Sequence, residues 1–156
     1  MLRRLCLLVT LLGCLCLPAL ADNASPAGAA GQSVTYTRMY TDADGESHFD
    51  EGTLDLELKD YAPPAEPIAV HSFQNVDSAT LLRMEGNSFE DWHQAPRRQF
   101  AFILQGTVEV TVTDGEVRRF TPGDVVLLED TAGKGHTTRI IGDVAHLGLM
   151  VPVDPD

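Results

Sequence analysis

Apolar and polar residues alternate along several short stretches of the chain. The stretches Thr107–Thr113 and Leu54–Leu58 both alternate strictly. A period of two is typical of a β-strand with one buried face and one solvated face. Asp114-Gly115, at the end of the first stretch, is a strong hairpin signal. The pattern therefore predicts antiparallel strands joined by tight turns.

About ten β-rich stretches fill the chain from residue 34 onward, and turn residues separate most of them. No segment sustains a helical period with caps. This many strands in a small domain predict an all-β fold, either a sandwich or a barrel. The stretches are Val34–Tyr40, Thr53–Leu58, Ile68–Phe73, Thr80–Met84, Phe100–Leu104, Thr107–Thr113, Val117–Phe120, Val125–Leu128, Thr137–Ile141 and Ala145–Val151.

Residues 1–21 have the layout of a secretory signal peptide. A basic pair, Arg3 and Arg4, precedes an apolar stretch, Leu5–Leu20, and small residues surround its end. This stretch is too short to span a bilayer comfortably. We expect cleavage after Ala21, a periplasmic or secreted location and no permanent membrane anchor.

An alternative interpretation of the same region is a lipoprotein signal at Leu11–Cys14. The three cysteines of the chain all lie before residue 17, so a chain cleaved after Ala21 contains no disulfide, thiolate metal site or cysteine nucleophile. Residues 22–32 are rich in Ala, Gly, Ser, Pro and Asn, which predicts a flexible linker. The β-domain is then expected at residues 33–153.

The charge balance of the chain limits the classes of molecule that the protein is expected to bind. The 156 residues contain 11 Lys plus Arg and 23 Asp plus Glu, a formal net charge of −12. This charge would repel a phosphate backbone or an anionic lipid surface. We therefore expect no nucleic-acid partner. The length predicts one domain of ordinary size.

From Ser88 to Val151 the chain resembles the cupins, small β-barrels with two sequence motifs on neighbouring strands. The spacing of the first motif fits His93–Gly106, and Phe120–Val126 resembles the turn and strand of the second. The chain also resembles a subgroup of single-domain cupins, the type-2 conserved barrels, which has no assigned reaction. The resemblance implies a cupin-like β-barrel, also called a double-stranded β-helix or jelly roll.

The resemblance also implies a metal site, because cupin motifs supply imidazoles and a carboxylate to Fe, Mn, Ni or Zn. His93 and His136 match two histidine positions, while Gln99 stands at the glutamate position and Ala95 at another histidine position. Two alternatives stay open: a divalent metal held by His93, Gln99 and His136, or a metal-free pocket. The other histidines, whose spacing is uninformative, are His48, His71 and His146.

Three further residues are candidates for contact with a small-molecule ligand. Trp92 is the only tryptophan in the chain and would form an aromatic wall, although a lone Trp is also a common core or rim residue. Arg98 would bind a substrate carboxylate, or else serve surface solubility. Lys134 lies in a glycine-flanked loop that is expected to form the mouth of the barrel and to position His136.

Two classes of function remain open at this stage. As an enzyme, the protein would bind a small polar or anionic molecule beside a metal that polarises it or activates water or oxygen. As a non-catalytic binding module, the same pocket would hold a ligand without chemistry. Edge strands and the β-rich N-terminal segment favour a homodimer, because such folds often pair by strand addition.

Overall fold

The structure is a computed structural model that describes residues 32–154. These residues form eleven β-strands and no helix, which confirms the all-β prediction. The strands are β1 (Gln32–Thr41), β2 (Ser47–Lys59), β3 (Ile68–Val70), β4 (Thr80–Met84), β5 (Phe89–His93), β6 (Gln99–Gln105), β7 (Thr107–Thr111), β8 (Val117–Phe120), β9 (Val125–Glu129), β10 (His136–Ile141) and β11 (His146–Pro152).

The strands form two sheets that pack face to face. One sheet has seven strands in the order β3-β2-β1-β9-β6-β11-β4, and the other has four in the order β5-β10-β7-β8. The pairing of β1 with β9, from Thr37↔Val126 to Tyr40↔Glu129, is parallel. The other neighbouring strands in residues 32–154 run antiparallel. Two opposed sheets of this kind define a jelly-roll β fold.

The core between the sheets is built from the inward faces of both. Met39 of β1 and Val112 after β7 are fully buried there, and Ile140 of β10 is 1% exposed. The large sheet is covered on its other face as well, where Phe100 packs with Phe73. Both faces of β6 are therefore largely buried from Gln99 to Ile103. This fixes its register, because a slip by one residue would exchange its two sets of side chains.

Two details of the strands can be compared with the sequence pattern. The hairpin predicted at Asp114-Gly115 is confirmed, since Thr111 pairs with Val117 and Gly115 has a φ of 91°. Strand β5 was not among the predicted stretches. Its adjacent acidic residues, Glu90 and Asp91, interrupt the alternation, and the strand forms by pairing with β10.

The predicted signal peptide, residues 1–21, and residues 22–31 of the predicted linker lie outside the described residues. No helix capable of spanning a membrane occurs within residues 32–154.

Candidate functional site

A cavity of about 290 Å³ lies between the two sheets. On β6, Gln99, Ala101 and Ile103 line it together, because alternate residues of a strand point to the same side. Most of its lining is apolar and belongs to the core. The apolar lining residues are Met39, Leu82, Met84, Ala95, Pro96, Ala101, Ile103, Val108, Val110, Phe120, Val126, Leu128 and Met150.

The cavity has an open side and a buried side. The side chains of His93 and Glu90 are 37% and 52% exposed, whereas His146, on the same cavity, is 3% exposed. A shallower pocket shares His93 with the cavity and continues to Trp92 and Lys134. We call the region of these four residues, Glu90, Trp92, His93 and Lys134, the mouth. The region around His146 is the buried end.

Two histidines meet at the mouth because β5 pairs with β10. His93, at the end of β5, lies opposite His136, at the start of β10. The centres of their rings are 4.4 Å apart. The two histidines that the sequence singled out are therefore brought together, and Gln99 lines the same cavity.

A buried carboxylate orients His136. Its Nδ1 donates to Asp130 Oδ2 at 2.5 Å, and Asp130 is fully buried. The neutral ring then carries its lone pair on Nε2. The second oxygen of the carboxylate, Oδ1, has no hydrogen-bond partner among the described residues. The contact with Asp130 occupies Nδ1 of His136 and leaves its Nε2 available to a second partner.

His93 is oriented by a backbone carbonyl. Its Nδ1 donates to the oxygen of Asp91 at 2.7 Å, so the neutral ring again has its lone pair on Nε2. This atom lies 3.6 Å from Oε2 of Glu90. A lone pair and a carboxylate oxygen that face each other repel unless a proton or a metal ion lies between them. The arrangement therefore favours a cation at the mouth.

The donor set fits a divalent metal in its chemistry but is sparse in its number. The Nε2 atoms of His93 and His136, the Gln99 amide oxygen and the Glu90 carboxylate are suitable ligands for a first-row metal. The carboxylate behind His136 is the kind of partner that metal-binding histidines use. Within residues 32–154, however, no three His, Cys, Asp or Glu side chains are grouped closely enough to hold a metal ion. Ala95, on the lining, supplies no ligand.

The loop before β10 forms one wall of the mouth. Lys134 Nζ lies 3.8 Å from the centre of the Trp92 ring, a cation–π contact. Gly135 has a φ of 78°, and an added Cβ would overlap the carbonyl oxygen of His93. The buried Ser47 hydroxyl donates to the Gly135 carbonyl at 2.6 Å. Both the tight approach and this hydrogen bond hold the loop against β5, next to the histidine pair.

Behind this loop lies a second group of charges, which we call the His48 cluster: His48, Asp42 and Asp114. His48 Nε2 lies 3.0 Å from Asp42 Oδ2, and its Nδ1 lies 2.7 Å from Asp114 Oδ2. The hydrogen bonds to Asp42 and then Asp114 raise the pKa of His48. The hydrogen bond from His48 lowers the pKa of Asp42. The cluster ties the turn after β1 to the β7–β8 hairpin.

Arg98 does not line the cavity. It precedes Gln99 on the chain, so it points to the opposite side, where its Nε donates to Glu129 Oε1 at 2.6 Å. Arg38 also donates to Glu129. Although burial raises the pKa of Glu129, the hydrogen bonds from Arg98 and Arg38 outweigh it and lower the pKa overall. The structure thus places Arg98 in an ion-pair group outside the cavity, while Trp92 and Lys134 lie at its mouth.

Sequence reasoning missed two carboxylates and left one histidine unassigned. Asp130 and Glu90 contact the histidine pair but have no fixed spacing in the first cupin motif. The position of Glu90, three residues before His93, is a signal only when β5 is known to be a strand. His146 had no informative spacing, and the structure places it on the cavity lining.

Comparison with known proteins agrees with this architecture. The sequence model of the EutQ-like cupin domain matches residues 73–140, which include β4 to β9 and all but the last residue of β10. No curated protein matches the chain. The chain is similar to this domain over less than half of its length, and the match together with the two-sheet fold supports a single-domain protein of the cupin superfamily.

Several solved structures resemble the chain at low identity, each with a TM-score of 0.38. A putative ethanolamine utilization protein Q from Salmonella typhimurium is 18% identical over 80% of this chain and 100% of its own. KdgF from Halomonas sp. is 22% identical over 63% and 89%. A conserved protein of unknown function from Streptococcus pyogenes is 19% identical over 49% of this chain and 65% of its own, slightly under two thirds. Similarities of this size carry no argument about function.

Proposed function

We propose that this cupin barrel binds a small molecule whose body is largely apolar and whose polar group lies at the mouth. The observation that carries the proposal is the cavity of about 290 Å³. Its size is at the lower limit of the usual range for small-molecule sites, and sites of this kind combine apolar walls with a few placed polar groups.

The distribution of polar groups around the cavity supports this class of ligand. The polar lining residues are Glu90, His93, Gln99, His136, Thr138 and His146, and the remaining wall is aliphatic, thioether or aromatic. A small, wholly polar ligand would leave its hydrogen-bonding groups unpaired against this wall, which costs free energy. From the sequence we expect a ligand with a polar or anionic group. The apolar lining of the cavity indicates that this ligand also has an apolar body.

Lys134 at the rim favours an anionic group on the ligand, while the Glu90 carboxylate of the same mouth favours a cation beside His93. Lys134 lies over Trp92 at the rim, and the two imidazoles can donate hydrogen bonds when they are protonated. Since the chain as a whole is acidic, these cationic groups are a local departure from the general charge. A carboxylate at the mouth would pair with them, while the apolar body extends into the cavity.

Calorimetric titration with 3-phenylpropanoate tests the proposal. The wild-type protein is expected to bind it in a saturable way, with a change in the fluorescence of Trp92, the single tryptophan. Ala101→Leu adds volume on the cavity wall and is expected to weaken binding at least tenfold. The matched control Ala69→Leu, on the edge strand β3, leaves binding unchanged. Absence of saturable binding in the wild-type protein would contradict the proposal.

A metal centre is the second candidate function, and the orientation of the histidine pair favours it. Both Nδ1 atoms donate to oxygens, of Asp91 and Asp130, which leaves both Nε2 lone pairs for a cation. A divalent Fe, Mn, Ni or Zn ion would supply polarisation of a bound group or activation of water. Elemental analysis of the purified protein is the test. Stoichiometric metal in the wild type and in His71→Ala, and its loss in His93→Ala and His136→Ala, would support the centre.

Export and pairing complete the proposal. The signal-like residues 1–21 support a periplasmic or secreted protein. Mass spectrometry of the intact protein that gives the mass of a chain starting at Asp22 would support cleavage there. Pairing with a second copy is supported by the edge strand β4, whose Leu81 is 61% exposed. Sedimentation would detect a dimer, and a monomer at all concentrations would contradict pairing.

A further inference from the structure

The cavity lining includes a buried histidine, His146, which the histidine pair does not explain. His146 begins β11 and is 3% exposed. Its Nδ1 donates to the backbone carbonyl of Gln105 at 3.1 Å. No described residue forms a hydrogen bond with its Nε2. The ring lines the cavity, and Nε2 is not one of the fully enclosed, unpaired atoms of residues 32–154, so this nitrogen is open to a group inside the cavity.

The hydrogen bond from Nδ1 to the Gln105 carbonyl places the proton of the neutral ring on Nδ1, so in this form Nε2 is a hydrogen-bond acceptor. Burial lowers the pKa of His146, and the hydrogen bond to the Gln105 carbonyl opposes this only in part. Since Nδ1 keeps the proton for that carbonyl, the lone pair lies on Nε2. The surrounding lining is apolar, with Met84, Ile103 and Met150 among the nearby cavity residues. The cavity therefore has an isolated acceptor at its buried end.

A glycine keeps the space around this acceptor open. A Cβ added at Gly148, two residues further along β11, would lie 2.8 Å from Nε2 of His146. Gly148 pairs within the sheet with Ile103 and Leu82, and its φ is not in the left-handed region. Backbone conformation thus gives no reason for glycine here. Because Gly148 has no side chain, space stays open beside Nε2 of His146.

The acceptor and the mouth are well separated along the barrel. Nε2 of His146 lies beside Gly148, which pairs with Ile103. On β6, Ile103 is four positions from Gln99, near the mouth, roughly 13 Å of strand at about 3.3 Å per residue. Side chains from both regions shorten the gap. A ligand with its anionic group at the mouth can therefore reach His146 with the far end of its apolar body.

We propose that His146 is a ligand-binding residue, whose Nε2 accepts a hydrogen bond from a hydroxyl or N–H group at the far end of the ligand. The inference rests on the proposed function and narrows it. The ligand is an elongated molecule with an anionic group at one end, an apolar middle and a neutral donor at the other. Gly148 serves as a positioning residue, because it leaves the acceptor accessible.

A pair of probes that differ in a single group tests the inference. 3-(4-hydroxyphenyl)propanoate carries a donor where 3-(4-methylphenyl)propanoate carries a methyl group of similar size. Calorimetry at pH 7 is expected to show that the wild-type protein binds the hydroxyl probe roughly fivefold to tenfold more tightly, the effect of one buried hydrogen bond. In His146→Leu the preference is expected to reverse toward the methyl probe.

A second variant keeps the test valid if His146→Leu does not fold. Gly148→Ala retains the imidazole but fills the space beside Nε2, and it is expected to abolish the preference for the hydroxyl probe. Thermal melting followed by circular dichroism checks both variants. If the wild-type protein binds the two probes equally, the inference fails and the proposed function stands. If neither these probes nor 3-phenylpropanoate binds, both fail.

Discussion

At the mouth of the cavity, His136 donates its Nδ1 proton to the Asp130 carboxylate, whereas at the buried end His146 donates its own to the backbone carbonyl of Gln105. Both rings are almost fully buried and both keep Nε2 for another partner. The partner on Nδ1 makes the difference. A carboxylate can balance an added positive charge, while a single neutral carbonyl within an apolar wall cannot.

Because of this difference, the two ends of the cavity suit different kinds of chemical group. The mouth, with its carboxylates and its lysine, can hold a cation or an ionised group. The buried end, where burial lowers the pKa of His146, suits a neutral group that donates a hydrogen bond. The comparison predicts that changes at the mouth will alter the response to charge, whereas changes at the buried end will alter the choice between uncharged groups.

The largest effect is expected from Gly135→Ala, which would disrupt the packing of the mouth loop against β5. The added Cβ overlaps the carbonyl oxygen of His93, and the positive φ disfavours a side chain. We expect the free energy of unfolding to fall by about 3 kcal/mol or more, together with loss of 3-phenylpropanoate binding. Chemical denaturation provides the measurement.

Gly115→Ala is the matched control for this change. Gly115 also has a positive φ but has no atom within 4 Å of the added Cβ. Only conformational strain remains, about 1 kcal/mol. Equal losses for the two variants would show that the approach of the loop to His93 is unimportant.

Asp130→Asn sharpens the comparison, because it gives His136 a neutral partner like that of His146. The amide oxygen of Asn can still accept from Nδ1, but the charge of the carboxylate is lost, and we expect a cost of about 1–3 kcal/mol in unfolding free energy. The ¹⁵N chemical shifts of the His136 ring should change as well. Glu129→Gln, at the neighbouring position, is the control, since Glu129 pairs with Arg38 and Arg98 outside the cavity. If both variants shift His136 equally, Asp130 does not control this ring.

His48→Gln tests the charged support behind the mouth loop. The raised pKa of His48 makes its stabilising contribution full below its ordinary value of 6.5, and this contribution is lost as the pH rises through the folded-state pKa. The lowered pKa values of Asp42 and Asp114 maintain it down to about their ordinary value of 3.8. The variant should therefore lower the melting temperature more at pH 5.5 than at pH 9.

The size of this pH effect is expected to be small. The His48 cluster is partly exposed, so screening limits it to roughly 2–4 °C in melting temperature. His71→Gln, whose ring contacts the backbone carbonyl of Asp55 instead of a carboxylate, should show no such pH dependence. A loss that is the same at pH 5.5 and pH 9 would argue against a protonated His48 between two carboxylates.

The smallest effect is expected from Lys134→Gln at the rim of the mouth. It removes the cation from the face of Trp92 and from the approach of an anionic ligand. Affinity for 3-phenylpropanoate should fall by about twofold to fivefold, and the difference should shrink at high salt. Lys59→Gln, an exposed lysine paired with Glu57, should leave the affinity unchanged. An equal effect of the two changes would indicate general charge instead of a local contact.

How far the sequence predicts this molecule depends on whether a feature is local. The hairpin at Asp114-Gly115 and the shared face of Gln99 and Ala101 follow from turn chemistry and strand periodicity, and both are observed. The resemblance brought His93 and His136 together, and the pairing of β5 with β10 places them opposite each other.

The remaining site features depend on register and on long-range packing. Asp130 reaches His136 through a turn between strands, and Glu90 faces His93 where a register shift interrupts the β5–β10 pairing. The outward direction of Arg98 follows from Gln99 pointing inward, once β6 is known to begin there. The apolar character of the cavity arises from residues of many strands, so no single sequence motif predicted it.

The parallel pairing of β1 with β9 has a consequence for how the chain folds. Thr37 pairs with Val126, so most of the sequence lies between the two partners. During synthesis the β1–β2 hairpin can form early, but the other edge of β1 stays unpaired until β9 has been synthesised. Contacts of such high sequence separation slow folding, and an unpaired strand edge promotes association with other chains in the meantime. Truncations that remove β9 should therefore aggregate through β1, while the complete chain folds with this edge covered.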